Sequence, residues 1–424
     1  MPYDGLFKLL HYIYVRKGIM RVTAFIGAGA CIDIDGPSTA CITKKVRSVQ
    51  QEIFVPPLKQ TITKPFIEAV ALHLETFWRD EPNFEDIFHA IEMLDSCRVG
   101  WDITAAKQFR PALSAFVGTT DKSYFNVDML IVAKKDLIST VAKQVAAHDS
   151  AFNPNSSKHY WYSAFWRQAT KRPPWDIVTT NYDMCIEKSL DGHIEYEDGF
   201  ENLEDGVYSF RPRNILNSNK TKIMHLHGSI YYGYPKFTDP NRYIYEYDHE
   251  DLYKFNSYAN AQKTWFNMSH RNSQAGEKTI AGPIITGLRK TDKLLPYPYN
   301  TYNACFAKSL MENSRLLIAG YSFGDLHFNS WLGKMANIHG NNRRIIVISY
   351  LDDPNRWHPV PSVMGWSTPM YEFMAKVFKD NRPFKSYVFE NPVISADGNV
   401  QLYLRGLRDA LENHGEEIID FLSS

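Results

Sequence analysis

Short apolar runs, each closed by glycine or a polar residue, recur along the chain. "RVTAFI" (21–26) feeds the turn "GAG", and "WDIVTT" (175–180) and "KIMHLHG" (222–228) follow the same plan. So do "GPIITG" (282–287), "RLLIAG" (315–320) and "RRIIVISY" (343–350). Runs that are apolar throughout, rather than alternating, predict strands buried on both faces, as in a parallel sheet covered by helices. Helical spacing at 300–313 and 325–337 supplies the covers. The fold class expected is therefore α/β, a doubly wound and mostly parallel sheet.

Between these runs the period changes. Phe84, Ile87, Phe88, Ile91 and Leu94 recur at helical spacing, and "VDMLIVAKKDLISTVAKQVAAH" (127–148) continues it. This predicts a helical insertion subdomain at 61–171, with 1–60 and 172–424 forming the sheet domain. A helix is expected over 4–15 and one closing helix over 400–421. The stretch 191–258, with its Tyr-rich section, reads as loop, and the basic run "KKVR" at 44–47 as a solvated face.

Composition narrows the function classes. Lys plus Arg equals Asp plus Glu at 47 each, so a broad basic face for direct nucleic-acid binding is not expected. Five cysteines, odd in number and without a C-x-x-C, suggest neither a disulfide framework nor a thiolate zinc site. No apolar run reaches the roughly 18 residues of a membrane span. In "MPYDGLFKLLHYIYVRKGIM" the positive charges follow the apolar stretch, the wrong order for a secretion signal. A cytoplasmic protein is expected.

The strand ends carry the candidate chemistry. Gly27 and Gly29 can let a phosphate approach backbone N–H groups, or can simply make a tight turn. The third glycine of the dinucleotide fingerprint would fall at Ile32. In "TTNYD", Asn181 can hydrogen-bond a ribose hydroxyl or a water, but taken alone it better suits a cap for a helix starting near Tyr182. "HLHGS" puts His225 and His227 on one strand face by period two. His225 suits a hydrogen-bonded core histidine, and His227 at the strand end suits a general base. A metal bound by this pair has no further ligand at a recognisable spacing. In "GYSFGDLHFN", Ser322 can hold phosphate or ribose and Phe323 can face a ring, while Asp325 can cap the following helix.

The order GAG, TxNxD, HG, GxS resembles the sirtuin family. Its glycine-rich opening matches Gly27, Ala28, Gly29 and Pro37. Its Gln-Asn-Ile-Asp segment matches Thr180, Asn181, Tyr182 and Asp183, its His-Gly matches His227 and Gly228, and its Gly-Thr-Ser matches Gly320, Tyr321 and Ser322. The wording is most similar to the bacterial sirtuin-like branch of anti-phage defence. Two pieces of the deacetylases are missing: Ser38-Thr39-Ala40 replaces Asp-Phe-Arg, and no cysteine lies between Cys185 and Cys305 to build a four-cysteine zinc module. The resemblance implies a Rossmann-like NAD-binding domain and NAD+ as substrate, without structural zinc. It implies hydrolysis to nicotinamide and ADP-ribose, with Asn181 and His227 catalytic. Gly27, Ala28, Gly29, Pro37, Ser38, Thr180, Asp183, Gly228, Gly320, Ser322 and Phe323 are then expected to bind the nucleotide. The resemblance further implies NAD+ depletion in abortive defence, a homo-oligomer and a HerA-type ATPase partner. A zinc-free deacylase or ADP-ribosyltransferase, and a non-catalytic NAD-binding module, are the alternatives.

Overall fold

A computed structural model describes residues 20–55, 59–76, 81–96, 127–171, 173–234, 251–265, 268–272, 278–280, 283–287, 290–350, 368–378 and 391–424. The helix expected over 4–15 and much of the Tyr-rich section lie outside these residues.

The main sheet has eight strands: β1 (Val22–Ile26), β2 (Trp175–Thr179), β3 (Tyr196–Glu197), β4 (Thr221–His225), β5 (Arg315–Ala319), β6 (Arg344–Ile348), β7 (Val393–Ile394) and β8 (Val400–Tyr403). Their spatial order is β7-β8-β6-β5-β1-β2-β4-β3. Every pairing is parallel except β7 with β8. The expected doubly wound α/β arrangement is therefore present. The chain builds outward from β1 on one side and then returns to lay β5 on the other. The carboxyl ends of β1 and β5 thus flank the topological switch point, where such sheets form a ligand crevice.

Both faces are buried, which is why the strands are apolar without alternation. Phe25, Val178 and Met224 pack on one side with Phe306, Phe328 and Leu332. Ala24, Ile26 and Ile177 pack on the other with Trp166, Trp175 and Leu411. Each large apolar side chain removed from water contributes about 1.5–3 kcal/mol. A third core lies where the helices Phe66–Glu75, Phe84–Ser96 and Val127–Ala151 meet, within the range expected to form the insertion. This core also takes in Ile42, Val46 and Ile53, ahead of residue 61, and Ile230 and Ile284 from the sheet side. Arg47 of the "KKVR" run does not simply face solvent: it binds Glu68, Glu75 and Glu81 at 2.6–2.9 Å.

Four expectations need correction. Of "GPIITG", the described residues 283–287 form no strand, only a single antiparallel bridge from Ile284 to Gly228. The segment 400–421 is a strand followed by the helix Leu407–Ser423, because "VQLY" completes the sheet beside β6. A hairpin, Gln51–Val55 with Gln60–Lys64, precedes the insertion's helices and reaches into its expected range. Within 191–258, Phe200–Glu204, Val207–Phe210, Tyr232–Gly233 and Tyr253–Phe255 make a small antiparallel sheet.

The turn after β1 explains its glycines first by close packing. Gly27 N donates to Ala319 O at 2.9 Å and Gly29 N to Gly320 O at 2.8 Å. Gly320 is left-handed at φ +63°, and a Cβ there would lie 1.9 Å from Ala30 N. Gly320→Ala should therefore cost at least about 1–3 kcal/mol of backbone strain, read as a lower denaturation midpoint with an unchanged m-value. An unchanged midpoint would contradict this packing.

Candidate functional site

Two adjacent strand ends supply the expected catalytic pair. β2 runs into Thr180 and Asn181, and β4 into Leu226 and His227. The ends are tied together, since Leu226 N donates to Thr179 O at 2.9 Å and Thr180 N to Ile26 O at 3.0 Å. Thr179 Oγ1 accepts from Asn181 N at 3.0 Å, turning the chain out of the strand.

Asn181 is buried. Its Nδ2 donates to Cys31 Sγ at 3.0 Å, and its Oδ1 has no partner among the described residues. It does not cap a helix. The helix begins at Cys185, and the Cys185 N–H is taken by Asp183 Oδ1 at 3.0 Å. Asp183 Oδ2 accepts from Cys31 Sγ at 3.3 Å, so both oxygens of that carboxylate are engaged by the protein.

The two histidines do not share a strand face, because β4 ends at His225 and the chain turns. His225 Nδ1 donates to Asn181 O at 3.0 Å and Nε2 to Glu187 Oε1 at 2.6 Å. Burial opposes its charge, but Glu187 and the Asn181 carbonyl outweigh it and raise the pKa. With both nitrogens facing acceptors, His225 is the imidazolium of a buried ion pair. Its role is to hold the Asn181 backbone.

His227 is the opposite case. Its ring lies beside Phe328, with centroids 5.7 Å apart, and among the described residues Nε2 has no hydrogen-bond partner. Burial pushes its pKa down to about 3, against the pull of Asp325. At neutral pH the ring is therefore uncharged and can accept a hydrogen bond, and it becomes an effective base only where a neighbour stabilises the imidazolium. Asp325 Oδ2 stands 3.7 Å from Nε2, too far for a hydrogen bond but near enough to favour an imidazolium once formed.

Asp325 was expected to cap the helix Leu326–His339, yet its side chain makes no capping bond. Its Oδ1 accepts from Lys290 Nζ at 2.8 Å, and Lys290 also reaches Glu85 Oε2 at 3.3 Å. Burial would raise the Asp325 pKa, but the cationic Lys290 and its hydrogen bond prevail and lower it. Glu85 belongs to the insertion, so a line of charged groups runs from that subdomain to His227. Sequence reading missed Lys290 and Glu85, since neither sits in a motif.

The remaining expected residues divide. Ala28 and Gly29 are exposed beyond β1, with the Gly29 N–H already spent on Gly320. Thr180 is half-buried and exposed Ser322 lies beyond β5. Gly228 is left-handed at φ +88°, and a Cβ there would lie 1.8 Å from Pro283 O, so its first duty is close packing beneath His227. Ser38 caps the helix Thr39–Arg47, with Oγ accepting from Cys41 N at 3.1 Å, and Pro37 precedes it half-buried. Phe323 does not offer its ring to a ligand. It is fully buried, packed against Tyr321 and Phe373 with centroids 4.9 and 5.0 Å away. Its backbone is left-handed at φ +59°, a strained state for a bulky residue and a kind often met near functional sites.

The SIR2-like domain family matches residues 176–359, from β2 past β6, which covers Asn181, His227 and Asp325 but not the Gly27–Gly29 turn. No curated protein matches the chain. Among solved structures, the chain is similar to a substituted Sir2 homologue in complex with 2′-O-acetyl ADP-ribose. The two are 14% identical over 88% of this chain and 96% of the other, with a TM-score of 0.32, too low for residue-by-residue transfer. The SIR2-like domain indicates NAD-dependent, sirtuin-like chemistry. Among the described residues no helix is long and apolar enough to cross a membrane.

Removing one partner of the His225–Glu187 pair strands a buried charge. Glu187→Ala should therefore cost about 3–5 kcal/mol in a denaturant titration. Because folding raises the His225 pKa, the wild-type contribution is complete below the ordinary value of 6.5 and fades as pH rises through the elevated one. The gap between wild type and Glu187→Ala should narrow in that direction; a gap that widened would refute the ion pair.

Proposed function

We propose that the chain is an NAD+ glycohydrolase, cleaving the bond between nicotinamide and ribose to give nicotinamide and ADP-ribose. The observation that carries the reading is the pair of orphaned buried atoms, Asn181 Oδ1 and His227 Nε2, on neighbouring strand ends at the crevice side of the sheet. Buried polar atoms without partners are rare and call for a ligand or a catalytic role. A ribose hydroxyl or a water supplies the donors both atoms lack.

The chemistry suits these groups. Nicotinamide leaves as a neutral molecule, so no general acid is required. Positive charge develops on the ribosyl carbon, as in glycoside cleavage. Asn181 orients the attacking water or a ribose hydroxyl through Oδ1. His227, uncharged at neutral pH, takes the proton at Nε2, and Asp325 stabilises the imidazolium that results. Lys290 keeps Asp325 ionised and aimed. The exposed turns at Ala28-Gly29 and Ser322 are suited to the pyrophosphate and riboses. NAD+ depletion in anti-phage defence, a homo-oligomer and a HerA-type ATPase partner belong to this proposal on the resemblance of the motifs alone.

Incubation with NAD+, alone and with a HerA-type ATPase, should release nicotinamide and ADP-ribose. His227→Ala and Asn181→Ala should each lower kcat/KM by about 10²–10⁴-fold, the usual worth of a positioned general base. Wild-type turnover in both folded variants would end the reading. Formation of O-acyl-ADP-ribose with an acyl-lysine peptide would replace it with a deacylase, and saturable binding without turnover with a regulatory module.

The pH profile is a separate check. His227 holds its proton only below about 3, so kcat/KM should show no loss attributable to this residue between pH 8 and pH 5. A limb in that range that disappears in a folded, partly active Asp325→Asn variant would show that the ring titrates near neutrality instead.

A further inference from the structure

Beside the orphaned Asn181 lies a second group of functional side chains that the hydrolase chemistry does not use. Cys31 sits on the tight turn after β1, and Asp183 follows β2. Cys185 opens the next short helix, and His148 lies in the last turn of the insertion helix Val127–Ala151. All four are buried. One ligand atom each from Cys31, His148 and Asp183 lie within 4.8 Å of one another. Cys185 Sγ is 3.5 Å from His148 Nε2.

We propose that Cys31, His148 and Asp183 ligate a thiophilic divalent cation of the zinc class, with Cys185 as the fourth ligand.

Three observations argue for it. The first is spacing. With Zn–S about 2.3 Å and Zn–N or Zn–O about 2.0–2.2 Å, a tetrahedral site sets neighbouring ligand atoms roughly 3.3–3.8 Å apart. Cys31 Sγ to Asp183 Oδ2, at 3.3 Å, and Cys185 Sγ to His148 Nε2, at 3.5 Å, already have that separation. Two opposite edges of the tetrahedron are therefore formed. Cys31, His148 and Asp183 already fall within 4.8 Å of one another, and Cys185, which stands outside that group, must draw in to close the site. The second is donor chemistry. Two sulfurs, one imidazole nitrogen and one carboxylate oxygen form a set that selects zinc over magnesium or calcium. The third is support from behind. Asn181 Nδ2 donates to Cys31 Sγ at 3.0 Å and Cys185 N to Asp183 Oδ1 at 3.0 Å. Hydrogen bonds onto ligand atoms orient them and stabilise their anionic forms.

The balance is simple. Each ligating thiol releases its proton to solvent, His148 binds through a neutral ring nitrogen, and no electrons move. The site differs in place and ligand set from the four-cysteine module of sirtuin deacetylases, and it departs from the expectation of a zinc-free chain. Sequence spacing could not reveal it, because the four donors come from segments that only the fold brings together. The proposal does not rest on the hydrolase reading. If both hold, the cation fixes the side chain of Asn181 through Cys31 and pins the insertion to the crevice.

The test is made on the full chain without nucleotide. Protein purified under reducing conditions and dialysed against metal-free buffer should carry one equivalent of zinc by elemental analysis. Exchange with Co2+ should produce a thiolate-to-cobalt charge-transfer band in the near ultraviolet. Cys31→Ser and His148→Ala should weaken zinc binding at least tenfold, while Cys41→Ser and Cys305→Ser, at thiols outside the cluster, should not. Where a ligand variant fails to fold, the wild-type cobalt band and its loss on chelation remain decisive. Wild-type protein that holds no metal and takes up neither Zn2+ nor Co2+ at micromolar concentration would overturn the proposal and leave a hydrogen-bonded thiol cluster. Full metal content in a folded Cys31→Ser/His148→Ala variant would overturn it as well. Loss of NAD+ cleavage alone bears only on the hydrolase reading.

Discussion

The contact on which the rest depends is between two backbones. Gly27 and Gly29 lie against Gly320 so closely that a side chain on any of the three would strike main-chain atoms. That contact brings the carboxyl ends of β1 and β5 together at the point where the sheet changes direction. Without it the turn carrying Ala28 and Cys31 would stand off from the segment carrying Ser322 and Asp325. Glycine here is first a packing requirement, and any service to a phosphate is built on top of it.

From that junction, two electrostatic arrangements diverge. His225 is charged and locked between Glu187 and the Asn181 carbonyl, so it behaves as part of the scaffold. His227, two residues later, is uncharged and lacks a hydrogen-bond partner at Nε2. The difference arises from the turn that ends β4, which hands the second histidine to Phe328 and Asp325 instead of Glu187. The insertion takes part as well. Its Glu85 and Glu92 hold Lys290 and Lys293, and Lys293 Nζ also donates to Thr286 O at 2.7 Å. The loop beside His227 is thus fastened to the helix Phe84–Ser96 by two half-buried ion pairs.

Much of the frame was legible because its signals are local. A five-residue run such as "VTAFI" or "RIIVI" announces a strand buried on both faces, and glycine at its end announces a sharp exit. "VQLY" gave too little length to stand out beside a long helix, and "GPIITG" had the composition of a strand without a partner to pair with. In the site, Asn181 and His227 could be named from their positions after strands. The capping roles given to Asn181 and Asp325 failed because tertiary partners outcompeted the local bond. Phe323 was misread for the same reason: a ring beside a glycine turn has no way of declaring in sequence that it faces the core. Lys290, Glu85, His148 and Cys31 acquire meaning only through convergence of distant segments, to which one-dimensional spacing is blind.

The ends of the main sheet bear on how copies of this chain could meet. Among the described residues its outermost strands, β3 and β7, are each two residues long, so short that they offer little template for a further strand. Edge-to-edge extension of this sheet is disfavoured at both ends. Contact between copies through the main sheet is therefore left to the helices and loops that cover it, where side-chain complementarity rather than main-chain bonding sets the geometry.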